Sequence, residues 1–210
     1  MELNYTPYRF TSTDGYIQTT VPVCLRKTID SYIKQSSEPA HSHLVGHIKK
    51  EFFLNGLEKD EMWVDLITSC CQVYLQEFPV FDDHIQFILN KSNINAPFKL
   101  DTPWVNKMKK YEFNPIHRHS GLFSYVMWLT IPFNLQEELN YFKNTKSNRA
   151  STFEFVYSTS IGVQQHSINV DKNYEGELIV FPASQLHCVY PFYTSNKERV
   201  SIAGNVNINI

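Results

Sequence analysis

Residues 113–131 read FNPIHRHSGLFSYVMWLTI, and the interpretation of the whole chain starts from this stretch. Two histidines, His117 and His119, stand one residue apart just before a long apolar run. Pro115 disfavours a helix here, because proline lacks a backbone donor and restricts the residue before it. In an extended strand, residues two apart point to the same face. The two imidazoles therefore form half of a candidate metal site.

The composition is that of a folded protein with one domain. A length of 210 residues suits a single domain with a sizeable core. Hydrophobic residues make up 42% and charged residues 19%, which argues against disorder. Aromatic residues reach 14%, which favours a fold rich in strands. The formal net charge of −2 argues against a nucleic-acid partner, since domains that bind nucleic acids carry a basic face.

The sequence also bears on the compartment of the protein. It holds no run of about 18 apolar residues, so no membrane span is expected. The start, MELNYTPYRF, lacks the charged and apolar segments of a signal peptide. The spacing of Cys24, Cys70, Cys71 and Cys188 fits neither a disulfide framework nor a CxxC zinc site. We therefore expect a reduced, cytoplasmic setting.

The first part of the chain, about residues 1–95, is expected to be mostly helical. Within HLVGHIKKEFFLN the apolar positions Leu44, Ile48 and Phe52 repeat with the period of a helix. The predicted helices span 26–35, 43–55 and 59–77, and a short strand is expected over 16–23.

From about residue 96 to residue 210 the pattern changes to strands. LDTPWVNKMKKYEF alternates at Trp104, Asn106 and Met108, and the apolar run from 117 to 131 follows. The polar stretch 132–151 is expected to be a long loop with one helical turn in LQEEL. Further strands are expected over 152–158, 163–170, 177–181, 187–192 and 199–208. Several short strands separated by turns indicate a sandwich or barrel within one domain, residues 1–210.

A third histidine and an arginine follow the first pair in order. His187 lies 68 residues after His119, just past the strand ELIVF and a turn. Arg199 comes twelve residues later and opens the strand RVSIAGNVNI. Arg199, Ser201 and Ala203 share one face of that strand, and the small residues leave room for a ligand. A guanidinium beside a hydroxyl is suited to bind a carboxylate.

Each of these residues, taken alone, also has an ordinary structural explanation. His117 and His119 could be a pair on the surface, His187 a hydrogen-bonded histidine at a strand end, and Arg199 a surface charge. A second histidine group, His41, His43 and His47, has a spacing that zinc can use. Leu44 stands where the HExxH motif needs a glutamate. We interpret this second group as histidines on a helix face.

The ordered elements resemble those of the Fe(II)- and 2-oxoglutarate-dependent dioxygenases. The strings FNPIHRHSG and GELIVFPASQLHCVYPF…ERVSIAGNVNI are similar to 2-oxoglutarate–Fe(II) oxygenases found in marine phage and bacterial genomes. The resemblance covers roughly residues 40–210 and is strongest over 113–131 and 176–208. It implies an α+β, mainly β fold: a double-stranded β-helix (a jelly-roll or cupin-like barrel) with flanking N-terminal helices.

The same resemblance implies a chemistry and a set of site residues. His117, His119 and His187 would bind Fe(II), with no catalytic residue beyond these ligands. 2-Oxoglutarate would be the cosubstrate with O₂, its far carboxylate bound by Arg199 and Ser201. Tyr125 and Asn114 are further candidates for cosubstrate contacts, because they lie near the histidine pair in the sequence. Oxidative decarboxylation to succinate would then drive hydroxylation of an unknown substrate.

One position departs from the common pattern. The usual facial triad is two histidines and one carboxylate, and His119 takes the place of the carboxylate. A neutral imidazole leaves the site one unit more positive, which changes its redox potential and its affinity for an anion. Glu154, on a later strand, is a weak candidate for the missing carboxylate.

An alternative of another class remains at this point. It is a cupin-like metal-binding protein or isomerase with a three-histidine site and no oxygenase activity. The inward Arg199 favours the oxygenase. The substrate, a small molecule or a protein side chain, is not identified by the sequence, and a homodimer is compatible with it. A phage origin would place the protein in the host cytoplasm.

Overall fold

The computed structural model describes residues 3–89 and 98–208. Two antiparallel sheets dominate it, and helices cover one of them. The larger sheet has eight strands in the order β1-β2-β10-β7-β12-β5-β3, with β4 also pairing with β12. Its strands are β1 (Tyr5–Arg9), β2 (Gly15–Thr20), β3 (Glu51–Phe53), β4 (Phe98–Leu100), β5 (Trp104–Met108), β7 (Phe123–Thr130), β10 (Glu177–Pro182) and β12 (Arg199–Ile208).

The smaller sheet has four strands in the order β6-β11-β8-β9. These are β6 (Asn114–His117), β8 (Phe153–Thr159), β9 (Gly162–Ile168) and β11 (Leu186–Val189). The helices are α1 (Val23–Gln35), α2 (Glu61–Glu77), α3 (Pro79–Leu89) and α4 (Leu135–Tyr141). Short 3₁₀ turns lie at His41–His43, Leu57–Lys59 and Lys172–Tyr174. The mainly β class with flanking helices is confirmed.

The larger sheet is buried on both faces, and β10 shows why. Leu178 and Val180 pack with the helices in one core, whereas Ile179 and Phe181 pack between the two sheets in a second core. Successive strand residues point to opposite faces, so a strand buried on both sides must be apolar throughout. The continuous run ELIVF meets this requirement. Helices therefore cover one face of the sheet and leave the other to the small sheet.

Two of the predicted helices are confirmed. α1 contains the predicted segment 26–35, and α2 lies within 59–77. Asp60 begins α2, because its side chain accepts a hydrogen bond from the backbone N–H of Trp63 at 3.1 Å. The predicted strand over 16–23 is present in part, since β2 ends at Thr20 and Val23 begins α1. The helical turn expected in 132–151 is present as α4. The boundary expected near residue 96, between the helical part and the strands, lies outside the described residues.

The predicted helix over 43–55 is wrong. The segment holds a 3₁₀ turn, an extended crossing and β3, whose residue Phe52 pairs with Val105. Leu44 and Ile48 line the space between the sheets, whereas Phe52 packs against the helical core. The helical period was therefore a coincidence of residues buried in two different places, and pairing with β5 outweighs the local preference.

The predicted strand over 117–131 is two strands in different sheets. β6 ends at His117, and β7 begins at Phe123 in the large sheet. Gly121, between them, adopts φ +100°, a left-handed conformation that glycine takes without strain. The break places the histidine pair on the small sheet and the apolar run in the core.

The segment 132–151 is anchored to the barrel by a buried carboxylate. Glu138 of α4 is fully buried and accepts hydrogen bonds from the backbone N–H groups of Tyr193 and Thr194, each at 2.8 Å. Charged side chains are rarely buried without such partners. The loop before β12 is thereby attached to α4. Among the described residues, no helix has the length and apolar character needed to span a membrane.

Replacement of Trp63 by alanine tests the contact between α2 and the large sheet. Trp63 is fully buried, and its ring meets that of Tyr125 edge-on at a centroid distance of 5.6 Å. Removing a buried tryptophan leaves a cavity, so we expect the free energy of unfolding to fall by about 3–5 kcal/mol. Urea unfolding measures this change. Met62→Ala, at a 41% exposed neighbour, is the control and should shift stability by less than about 0.5 kcal/mol.

Candidate metal centre

Three histidines meet at one end of the small sheet. His187 on β11 is the direct partner of His117 on β6, and their ring centroids lie 4.2 Å apart. His119 follows β6, where its backbone N–H donates to Ala183 O at 2.9 Å. One nitrogen from each ring lies within 4.8 Å of the other two. The structure thus brings together all three histidines that the sequence singles out.

Backbone carbonyls orient two of the rings. His117 Nδ1 lies 2.7 Å from Pro115 O, and His187 Nδ1 lies 2.9 Å from Gln185 O. A carbonyl oxygen only accepts, so each Nδ1 carries the proton and each Nε2 keeps a free lone pair. The Nε2 of His119 lies 3.1 Å from the Nε2 of His117. Second partners such as these carbonyls fix the tautomer of a metal-binding histidine.

Burial keeps these imidazoles neutral. It lowers the pKa of His117, lowers that of His119 to about 4 and lowers that of His187 well below its usual range. The cause is the loss of solvation for the charged form, and the neighbouring histidines add repulsion at His119 and His187. Neutral imidazole is the form that binds a metal, and iron accepts such ligands. The donor set therefore fits an iron ion.

No carboxylate joins the three histidines among residues 3–89 and 98–208. The weak candidate Glu154 is held elsewhere. Its Oε2 pairs with Arg149 Nη1 at 2.8 Å and accepts from Ser167 Oγ at 2.8 Å. Glu154 aligns with Cys188, the neighbour of His187, and adjacent strand residues face opposite sides. The suggestion that Glu154 completes the site is therefore wrong.

Arg199 is a buried cation beside the histidines. It is 2% exposed, donates to Ser151 O at 3.0 Å, and lies over the ring of Phe192 at 5.7 Å. Burial lowers its pKa to about 10, so it stays charged at neutral pH. No carboxylate lies within 4 Å of it in the described part of the chain. The buried carboxylate of Glu138 favours the charged form of Arg199 from a longer distance. A buried charge without a direct ion pair is costly, and an anionic ligand would offset that cost.

One cavity contains both the histidines and the arginine. Arg199, Ser201 and Ala203 line it from β12, as their shared face predicts, and Asn114 lines it from β6. Its free volume of about 50 Å³ exceeds the space that one water needs, roughly 10–15 Å³. Apolar walls complete it, formed by Leu44, Val45, Ile48, Trp104, Met108, Val126, Trp128, Phe153 and Val189.

Tyr125 does not reach this cavity. It is fully buried on the opposite face of β7, between Gly204 and the ring of Trp63. The break at Gly121 reverses the parity that would have placed it beside the histidines. The second histidine group lies outside the three-histidine cluster. His43 packs on Phe53 and lines the cleft next to His117 and His119, whereas His47 packs on Phe113.

Two polar residues of the cavity were missed by the sequence. Glu51 and Asn106 are 1% and 6% exposed, and Glu51 Oε2 and Asn106 Oδ1 have no hydrogen-bond partner among the described residues. Burial, with a smaller contribution from Glu112, raises the pKa of the Glu51 carboxyl to about 7. The alternation of β5 could have indicated Asn106. The helix predicted over 43–55 gives no indication that Glu51 lines the cavity.

Comparisons with known proteins agree with this geometry. Residues 102–205 match a family described as "Putative 2OG-Fe(II) oxygenase". A prolyl-4-hydroxylase from Pseudomonas putida has a similar structure, with 14% identity, 95% of both chains covered and a TM-score of 0.53. HygX from Streptomyces hygroscopicus, solved with nickel, 2-oxoglutarate and hygromycin B, is similar at 10% identity, with 94% of this chain and 84% of that chain covered and a TM-score of 0.50. A comparison with curated proteins gave no match.

The fold and the family match define a class of enzyme. The chain belongs to the superfamily of Fe(II)- and 2-oxoglutarate-dependent dioxygenases, as the resemblance implied. Within that superfamily, residues 102–205 match the family described above, which uses Fe(II), 2-oxoglutarate and O₂. The protein is therefore an oxidoreductase, and the alternative of a cupin-like protein without oxygenase activity is set aside.

Replacement of His187 by alanine tests the metal centre. Loss of one of three ligands should reduce bound iron to less than a tenth of the wild-type amount, because the remaining pair leaves the ion weakly held. Anaerobic dialysis followed by elemental analysis measures the stoichiometry. His41→Ala, at an exposed histidine of the second group, should keep full iron. Equal iron in His187→Ala and the wild type would contradict the assignment.

Replacement of Glu51 by glutamine tests the buried carboxyl through the pH dependence of stability. The folded protein holds this proton more tightly than the unfolded chain, because the pKa is raised from 4.5 to about 7. The stability from this group is complete below pH 4.5 and is lost as the pH rises through about 7. Glu51→Gln should therefore unfold at a higher urea concentration than the wild type at pH 8, with the difference reduced at pH 5. A pH-independent difference would argue against a buried carboxyl.

Proposed function

We propose that the protein is a hydroxylase in which His117, His119 and His187 hold Fe(II). It would couple oxidative decarboxylation of 2-oxoglutarate to hydroxylation of a C–H bond. The observation that carries this proposal is the shared cavity, in which three neutral imidazoles face a buried Arg199 that has no carboxylate partner. An anion that chelates the metal at one end and ends in a second carboxylate fits both features.

The residues of the cavity have distinct roles in this proposal. Arg199 binds the far carboxylate of the cosubstrate, and Ser201, two residues along the same face, donates a further hydrogen bond. The side-chain N–H₂ of Asn114 donates to the cosubstrate from the small sheet, which leaves its Oδ1 free to accept. The carbonyls of Pro115 and Gln185 keep two imidazoles in the tautomer that leaves Nε2 free. Bound iron supplies the dioxygen chemistry, and the apolar walls keep water away from it.

The third histidine suits an anionic cosubstrate. With three neutral ligands the ion keeps its full charge of two, whereas a carboxylate ligand would cancel one unit. 2-Oxoglutarate carries two negative charges, and Arg199 adds a positive charge that has no carboxylate within 4 Å among the described residues. We infer that replacing a carboxylate by His119 raises the affinity for the cosubstrate and tunes the potential of the iron.

The substrate of the hydroxylase is either a small molecule or a protein side chain. HygX was solved with the small molecule hygromycin B, and the similar protein from Pseudomonas putida is named a prolyl-4-hydroxylase. A cleft beside His117 and His119 adjoins the cavity and is lined also by Thr102, Arg118 and Ser120. We propose this cleft as the path for the substrate. A single domain over 1–210 and a cytoplasmic location, with all four cysteines as free thiols, remain part of the proposal.

Anaerobic titration of the Fe(II)-loaded protein with 2-oxoglutarate tests the site as a whole. We expect a weak visible metal-to-ligand charge-transfer band that saturates at one cosubstrate per iron. The same titration of His187→Ala should give no band. Iron bound at full stoichiometry without a band would overturn the proposed role of the three histidines in binding the cosubstrate.

Replacement of Arg199 by lysine tests the carboxylate site. Lysine keeps the charge and loses the planar fork that binds a carboxylate through two bonds. A lost charged hydrogen bond costs about 1.5–3 kcal/mol, so the KM for 2-oxoglutarate should rise by roughly 10- to 100-fold. Iron content should stay within about 20% of the wild type. Succinate release measures KM, and an unchanged KM would make Arg199 structural only.

A further inference from the structure

Three oxygen atoms without partners point toward the same cavity. They are Glu51 Oε2, Asn106 Oδ1 and Asn114 Oδ1, and none has a hydrogen-bond partner among the described residues. Buried polar atoms are satisfied in the great majority of cases, and an unsatisfied one costs about 1–3 kcal/mol. Three in a single cavity indicate a ligand that supplies donors.

The large sheet aligns two of these residues with the cosubstrate site. Glu51 on β3 is the direct partner of Asn106 on β5, and Asn106 is the direct partner of Ser201 on β12. Directly paired residues present their side chains on the same face. Glu51 and Asn106 therefore extend the row that begins at Ser201 toward the β3 edge of the large sheet.

Gly46 leaves room for the third oxygen. A Cβ added at Gly46 would collide with Asn114 Oδ1 and would lie 2.9 Å from Glu51 Oε1. The two side chains thus converge on the space that residue 46 leaves empty. Ile48 flanks the same space, with its Cδ1 at 3.3 Å from that Cβ position. We call Glu51, Asn106 and Asn114 the acceptor group. Because Gly46 has no side chain, Glu51 and Asn114 can approach each other in this group.

A group with several N–H donors and a positive charge fits this acceptor group best. A carboxylate accepts but does not donate once ionised, and the two amide oxygens only accept. A primary ammonium offers three donors on one atom. Its charge would offset the cost of an ionised Glu51 in a buried position. The apolar walls at Leu44, Val45 and Ile48 suit the alkyl part of such a ligand.

We propose that Glu51, Asn106 and Asn114 form a specificity site for a substrate that carries a protonated primary amine. The inference rests on the proposed function, because it assigns the substrate class of the same cavity. The two ligands then complement each other: the dianionic cosubstrate lies against Arg199 and the metal, whereas the cationic group lies against Glu51. Opposite charges on neighbouring ligands favour their joint binding.

Binding of butylammonium and of 1-butanol, its neutral counterpart of similar size, tests this proposal. Ligand-observed NMR titrations are carried out on the anaerobic protein loaded with Fe(II) and 2-oxoglutarate. Wild type should bind butylammonium at least tenfold more tightly than 1-butanol. Equal affinities for the two probes, or no binding of butylammonium, would overturn the proposal without reference to any variant.

Glu51→Gln removes the charge and keeps the shape of the side chain. It should weaken butylammonium binding at least tenfold and leave 1-butanol binding unchanged, and the second result excludes a general loss of the cavity. Glu198→Gln is the matched control, since Glu198 pairs with Lys50 at the surface at 2.9 Å. Its affinity for both probes should equal that of the wild type. Unchanged butylammonium binding in Glu51→Gln would also overturn the proposal.

The charge-transfer band of the loaded protein separates the two proposals. A band together with no preference for butylammonium refutes the specificity site and leaves the hydroxylase standing. A preference that depends on Glu51, found in protein that shows no band, refutes the cosubstrate site and leaves the amine site standing.

Discussion

The pairing of β6 with β11 is the constraint on which the metal centre depends. His117 and His187 are direct partners across this pair, so the backbone hydrogen bonds of the small sheet set the separation of their rings. The backbone bond from His119 to Ala183 then attaches the third ring to the turn that follows β10. The spacing of the three imidazoles is thereby determined by main-chain hydrogen bonds, and the side chains need only adopt rotamers that point inward.

Desolvation also acts on the titratable side chains of the cavity. It disfavours the charged form of each, so it lowers the pKa of the histidines and raises the pKa of Glu51. It keeps the histidines neutral and therefore able to bind a metal, and it favours the protonated form of Glu51. Arg199 alone stays charged, because its ordinary pKa is so high that burial lowers it only to about 10. The cavity thus presents one positive charge and a set of lone pairs, which complement an anion beside a cation or a hydrogen-bond donor.

The sequence predicted the parts of the site that rest on strand alternation. His117, His187 and Arg199 lie in or directly beside strands with clear patterns, and the large-sheet strand β12 exposes the expected face to the cavity. The prediction that Tyr125 contacts the cosubstrate is wrong because the chain changes sheet at the left-handed Gly121, which also turns Tyr125 to the other face. Glu51 was not predicted as a site residue, because β3 is only three residues long and forms through its pairing with β5. Local periodicity does not encode that contact.

The extended crossing at residues 44–48 borders two spaces at once. It lines the cavity and is attached to the chain beside the small sheet by the hydrogen bond from His47 N to Phe113 O at 2.8 Å. Leu44 and Val45 of this segment line both the cavity and the cleft beside His117 and His119. A change in either side chain therefore alters the shape of both spaces together, so the space for the cosubstrate and the space proposed for the substrate are not independent.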